Sequence, residues 1–140
     1  PNTLENNTKA LINAINKHDN IEILGHLGNP NYPIDYELII KLAIEKNILI
    51  EINNCSIKGV SRNGSSDNCK YIATLCKKYG AKIILTSDAH ICFDIGNYEY
   101  SENILKEINF PDKLIMNYPK KLINHFHQKD KLLDVDYTNI

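Results

Sequence analysis

Two short runs of branched apolar residues, Ile48-Leu49-Ile50 and Ile83-Ile84-Leu85, restrict the fold of this chain more than any other feature. Neither alternates with polar residues, so each reads as a strand covered on both faces. A third run, Ile21-Glu22-Ile23-Leu24, precedes them, and stripes of helical period separate the three. Leu11, Ile12 and Ile15 share one face of the segment 8–17, behind the candidate caps Asn6 and Asn7. Asp35 is placed to cap a helix burying Leu38, Ile39, Leu42 and Ala43. Ser65 or Ser66 opens another helix with Cys69, Ile72, Ala73 and Cys76 inward, and Gly80 ends it. Tyr100, Ile104, Leu105 and Ile108 mark a further helix, and 113–116 a short fourth strand. Pro119 begins a last helix with Leu122, Ile123 and Phe126. Such alternation predicts an α/β fold of right-handed βαβ units on a parallel sheet.

The 140 residues, 43% hydrophobic and 24% charged, suit one globular domain. Its expected extent is 1–128, with 129–140 a polar tail. The formal net charge is −1 and the 16 basic residues are scattered, so no nucleic-acid partner is expected. No apolar run is long enough for a bilayer and no signal-peptide pattern opens the chain, so neither membrane nor export is expected. Pro1 without a methionine reads as an internal or trimmed start. None of the four cysteines forms a C-x-x-C pair, which fits a reduced, cytoplasmic protein. Cys69 and Cys76 share a helix face and read as core residues.

The chemistry-bearing side chains gather where the strands end. His26, Asn53 with Asn54, and Asp88 with His90 all fall at or just beyond the carboxyl end of an expected strand. In parallel sheets and barrels that is the edge where sites form. Asp88-x-His90 sets a carboxylate and an imidazole two residues apart, a mixed donor set suited to zinc, manganese or iron. Its plainer reading is a turn aspartate beside a solvated histidine. For His26 the plainer reading is a core histidine on a backbone carbonyl, against which stand the flanking Gly25 and Gly28. Glu51 is a charge within an apolar strand, at the sheet end or behind the site.

Arg62, the one arginine, stands in the segment 61–68 that leads into a helix start. With Ser61 and Ser65 it reads either as a phosphate grip or as a surface arginine beside an ordinary serine cap. His125 and His127 lie two apart on an expected helix and cannot chelate one ion, and His18 lies near a helix end.

The ordered motifs G-H-x-G-N-P (25–30), E-I-N-N (51–54), S-R-x-G-S-x-D-N (61–68) and S-D-x-H (87–90) resemble the YcdX-like phosphatase branch of the PHP (polymerase and histidinol phosphatase) superfamily. The resemblance implies the C-terminal part of a distorted (β/α)7 TIM-like barrel with a trinuclear zinc or manganese centre. It implies that His26, Asp88 and His90 are metal ligands, with Asp88 and His90 catalytic, and that a metal-activated water hydrolyses a phosphomonoester. Arg62, Ser61 and Ser65 would grip the phosphate of a small substrate, with Glu51, Asn53 and Asn54 supporting the ligands. The family's H-x-H pair and bridging glutamate are not in these 140 residues. The chain alone is therefore expected to be inactive, and to pair with a missing N-terminal half or self-associate. The alternatives are a phosphodiester-cleaving nuclease or polymerase domain of that superfamily and a non-catalytic assembly module on the same scaffold.

Overall fold

The structure is a computed structural model describing residues 2–58 and 64–129. Helix α1 (Leu4–Lys17) starts a turn earlier than expected because Thr3, not Asn6 or Asn7, is its cap. The Thr3 hydroxyl accepts from the Asn6 amide at 3.3 Å. Asn7 is turned outward from its helix and donates to the Pro33 carbonyl at 3.0 Å. The next residue, Thr8, accepts from the Asp35 amide at 2.9 Å, so α1 grips the start of the next helix.

Strand β1 (Ile23–Leu24) is followed by α2 (Tyr36–Glu45), capped as expected by Asp35, which accepts from Leu38 N at 3.0 Å. The phase differs from expectation: Ile39, Ile40 and Ala43 are fully buried while Leu38 is 46% exposed. The inward stripe runs from Tyr36 through Ile39, Ile40 and Ala43, a helical spacing one residue away from Leu38.

Strand β2 (Leu49–Asn53) runs directly into α3 (Asn54–Lys58), a short helix where only a polar loop was expected. Asn53 starts it, its side-chain oxygen accepting from the Ser56 amide at 2.7 Å. Helix α4 (Ser65–Tyr79) buries Cys69, Ile72, Ala73 and Cys76 and ends at Gly80, whose φ of +77° is the left-handed geometry of a helix stop. Strand β3 (Ile83–Thr86), α5 (Glu99–Glu107) and α6 (Pro119–His127) complete the elements.

The strands form one parallel sheet in the order β1-β2-β3, with Leu24 opposite Ile50 and Ile52 opposite Leu85. In the central strand Leu49 and Ile50 point to opposite faces, and both are fully buried. Both faces are covered, as the continuous apolar run requires.

The sheet stays open, and the expected (β/α)7 barrel is not what the chain forms. A barrel exists only when its first and last strands pair, and among the described residues three strands leave both edges apart. The segment expected as a fourth strand, 113–116, makes a 3-10 turn at Asp112–Leu114 and one isolated bridge, Ile83 to Ile115. The cause lies one residue further on. The Asn117 side chain takes the place of a strand beside β3, accepting from Leu85 N at 2.8 Å and donating to Leu85 O at 2.9 Å. Once an amide side chain satisfies both groups, no ladder propagates there.

Helix α6 turns His125 inward, leaving it 1% exposed with neither ring nitrogen hydrogen-bonded among the described residues. Burial, then the nearby Lys82 and Lys129, hold its pKa below the usual histidine value, with Glu22 acting the other way. The unfolded chain therefore binds this proton first as pH falls. Stability from the neutral imidazole is complete above about pH 6.5 and is lost as pH drops through the lower folded value. Urea unfolding midpoints are expected to fall below pH ~6.5 more steeply for the native chain than for His125→Phe. Equal slopes would exclude the effect.

Candidate metal and phosphate site

Because all three strands run parallel, their carboxyl ends share one edge of the sheet. His26 follows β1 by two residues and Asp88 follows β3 by two. Both take the left-handed backbone conformation, φ +55° for His26 and +48° for Asp88. Left-handed backbone is uncommon outside glycine and persists where surrounding contacts impose it. Here it turns two side chains from different strands toward each other, His26 Nε2 lying 3.9 Å from Asp88 Oδ2.

Glu51 is one of the contacts that hold His26 there. From the middle of β2 its Oε2 accepts from the His26 backbone N–H at 2.6 Å. Its Oε1 accepts from Thr86 Oγ1 at 2.7 Å and from Asn53 Nδ2 at 3.3 Å. One carboxylate thus fastens the ends of all three strands, which is how a charge within an apolar strand is tolerated. Gly25 makes room for it: a Cβ there would stand 3.3 Å from Glu51 Oε2.

Asn53 and Asn54 are buried and turned into the protein. Asn53 caps α3 and lies 3.4 Å, through Nδ2, from His26 Nδ1. Asn54 Oδ1 accepts from the Ser101 amide at 3.0 Å, tying α3 to α5. Between them they fix the strand-to-helix turn. That turn brings in a residue the motifs had not singled out, Cys55. One donor atom each from Cys55, Asp88 and His90 lie within 4.8 Å of one another. His26 stands outside this trio and meets it through Asp88.

His90 is oriented by Asp88 itself. Its Nδ1 lies 2.8 Å from the Asp88 carbonyl oxygen, which can only accept, so Nδ1 carries the hydrogen. Nε2 is then the nitrogen with a free lone pair, the arrangement found behind metal-binding histidines. A cleft of about 360 Å³ beside these groups is lined also by Lys58, Ser87 and Asn97. The donors therefore fit a divalent cation in kind, and they stand near one another: carboxylate, imidazole and thiol, partly exposed, beside a cleft.

Ser61 and Arg62 lie outside the described residues. Ser65 is fully buried at the start of α4, and its hydroxyl makes no hydrogen bond among the described residues. The glycine-flanked loop after β1 approaches a helix. A Cβ on Gly28 would come within 2.8 Å of Cys69 Sγ, and Asn68 Nδ2 donates to Gly28 O at 3.0 Å. Gly28 thus serves close packing on α4.

Related proteins share this sequence over most of its length. It is 53% identical over 133 residues to a probable phosphatase of Clostridium acetobutylicum, covering 94% of this chain and 54% of that protein. It is 47% identical over 137 residues to a probable phosphatase of Clostridium botulinum, covering 97% of this chain and 55% of that one. A probable phosphatase of Clostridium novyi is 50% identical over 136 residues, with 96% and 55% covered. The chain spans about half the length of the curated relatives it matches. No family model matches it.

These findings correct the expected membership. The motif resemblance to the C-terminal part of a PHP domain is upheld neither by a family model nor by the relatives' names, which say only "probable phosphatase". The barrel inferred from that resemblance goes with it. What stands is the local geometry, which depends on no family: His26 against Asp88, and Asp88 with His90 and Cys55. The missed residue, Cys55, had one available signal, its place immediately after the Asn53-Asn54 strand end.

Proposed function

We propose that this chain belongs to a metal-dependent phosphatase and supplies part of its site, acting on a small phosphomonoester. The observation that carries the reading is the meeting of His26 and Asp88 from opposite edges of the sheet, with His90 already set in the metal-binding tautomer. The relatives' names support the phosphatase half of it.

In this reading Asp88 and His90 hold a divalent cation, zinc or manganese, with His26 on the other side of the Asp88 carboxylate. Such a cation offsets phosphate charge and supplies a water acidic enough to attack near neutral pH. The chain's own residues keep that arrangement in place. Glu51 holds the His26 backbone, the Asp88 carbonyl holds the His90 ring, and Asn53 and Asn54 hold the wall of the cleft. Lys58 on that wall, and Arg62 with Ser61, are the proposed contacts to phosphate oxygens, whereas Ser65, buried at the start of α4, is left out of that set. A reducing compartment such as the cytoplasm suits a chain whose described cysteines are all free.

Metal content after dialysis against zinc or manganese, and hydrolysis of an aryl phosphate with and without chelator, test the proposal. Bound cation and chelator-sensitive hydrolysis of the monoester are expected, with the matching diester left intact. Because the chain spans half of its relatives, the Clostridium acetobutylicum protein belongs in the same assay as the longer comparison. No bound cation in the chain, or hydrolysis by the relative that chelator leaves untouched, would refute the reading. Preference for the diester would replace it with a nuclease.

A further inference from the structure

The cation site proposed above is described by two kinds of donor, oxygen and nitrogen. The structure offers a third. We propose that Cys55 contributes a thiolate to the cation held by Asp88 and His90, making this a mixed sulfur, nitrogen and oxygen site that selects a soft divalent ion, zinc above all. This inference rests on the metal reading of the site and adds to it.

The placing of Cys55 follows from its neighbours. Asn53 caps the first turn of α3 and Asn54 is bonded to the backbone of α5, so the residue after them is fixed at both sides. The turn lays Cys55 along the cleft that Asp88 and His90 also line. Zinc bonds of about 2.3 Å to sulfur and about 2.0–2.1 Å to nitrogen or oxygen require donors roughly 4 Å apart or less. The observed donors all lie within 4.8 Å of one another, so closing on one ion asks for side-chain shifts of about 1 Å or less.

The other cysteines do not compete. Cys69 and Cys76 are buried in the core, and burial pushes their thiols up to about 11 and about 12. Cys92 is exposed and stands outside the donor trio. The chemistry of the set has a consequence for selectivity. Carboxylate and imidazole alone accept manganese and zinc alike, whereas a thiolate favours zinc and disfavours manganese and magnesium. It also makes the site sensitive to oxidation and alkylation, because a modified sulfur no longer ligates.

Cobalt(II) is the probe that separates the two levels of the proposal. Its visible ligand-field bands report a cation in the site, and a near-ultraviolet thiolate-to-cobalt charge-transfer band reports sulfur on it. The native chain is expected to show both. Cys55→Ser is expected to keep the visible bands, lose the near-ultraviolet band and bind zinc about 10–100-fold more weakly. Cys92→Ser is expected to match the native chain. Visible bands without the charge-transfer band in the native chain would remove Cys55 from the site and leave the cation reading standing. A charge-transfer band that survives Cys55→Ser would do the same. Absence of any cobalt bands, with circular dichroism showing a folded chain, would overturn the cation site itself and Cys55 with it.

Discussion

An Asp88→Asn protein is expected to fold normally and to bind zinc or manganese at least about a hundredfold more weakly than the native chain. Losing a ligand should cost at least as much as losing a group that orients one, for which about 10–100-fold is usual. Asparagine is the substitution of choice because position 88 has φ +48°, and asparagine accepts that conformation at least as readily as aspartate. It also preserves the shape of the carboxylate facing His26 Nε2 at 3.9 Å while removing its charge. Titration calorimetry reads the affinity, and thermal unfolding confirms that the fold is intact. An unchanged cation affinity in D88N would show that Asp88 is no ligand, whatever else binds metal.

Glu51→Ala should produce the largest loss of stability among the polar substitutions considered. Three donors converge on that carboxylate: the His26 amide, the Thr86 hydroxyl and the Asn53 side chain. Hydrogen bonds to a charged group are each worth about 1.5–3 kcal/mol, and bonds that share a partner do not add in full. A loss of about 3–5 kcal/mol is therefore expected by chemical denaturation. Glu51→Gln should lose about half as much, since the amide keeps one accepting oxygen but turns its NH2 toward a donor. The substitution reaches the site as well. Without an acceptor for its amide, His26 loses one of the contacts that hold it in place, and cation affinity should fall alongside stability. A loss under about 1 kcal/mol would mean that the strand ends are held together by something else.

The contrast between these two residues shows what could be read from the sequence. The apolar run around Ile50 announced a strand buried on both faces, and the structure buries Leu49 and Ile50 completely. The Asp35 cap, the Gly80 stop and the inward face of α4 were equally legible, because each depends on residues within one or two turns of chain. So was the gathering of His26, Asn53 and Asp88 at strand ends. The closure of the sheet was not. A tandem of strands and helices looks the same whether it ends in a barrel or an open sheet, and Asn117 standing in for a strand beside Leu85 has no sequence signature. Leu38 was misplaced because the cap sets where a helix begins but the core sets which side faces in.

Sequence alone determined the periodicities of the long apolar stripes, though not the short helix α3 or the turn at Asp112–Leu114, and with them that the strands run parallel and that ligand-type side chains stand at one edge. These are decided by backbone geometry and local burial, which act over a few residues. Only the tertiary structure decided how far the sheet extends, that Glu51 binds three strand ends together, and that Cys55 joins Asp88 and His90. Those contacts link positions some 25 to 35 residues apart. Their distances and directions depend on the packing of whole elements, and no local pattern encodes them.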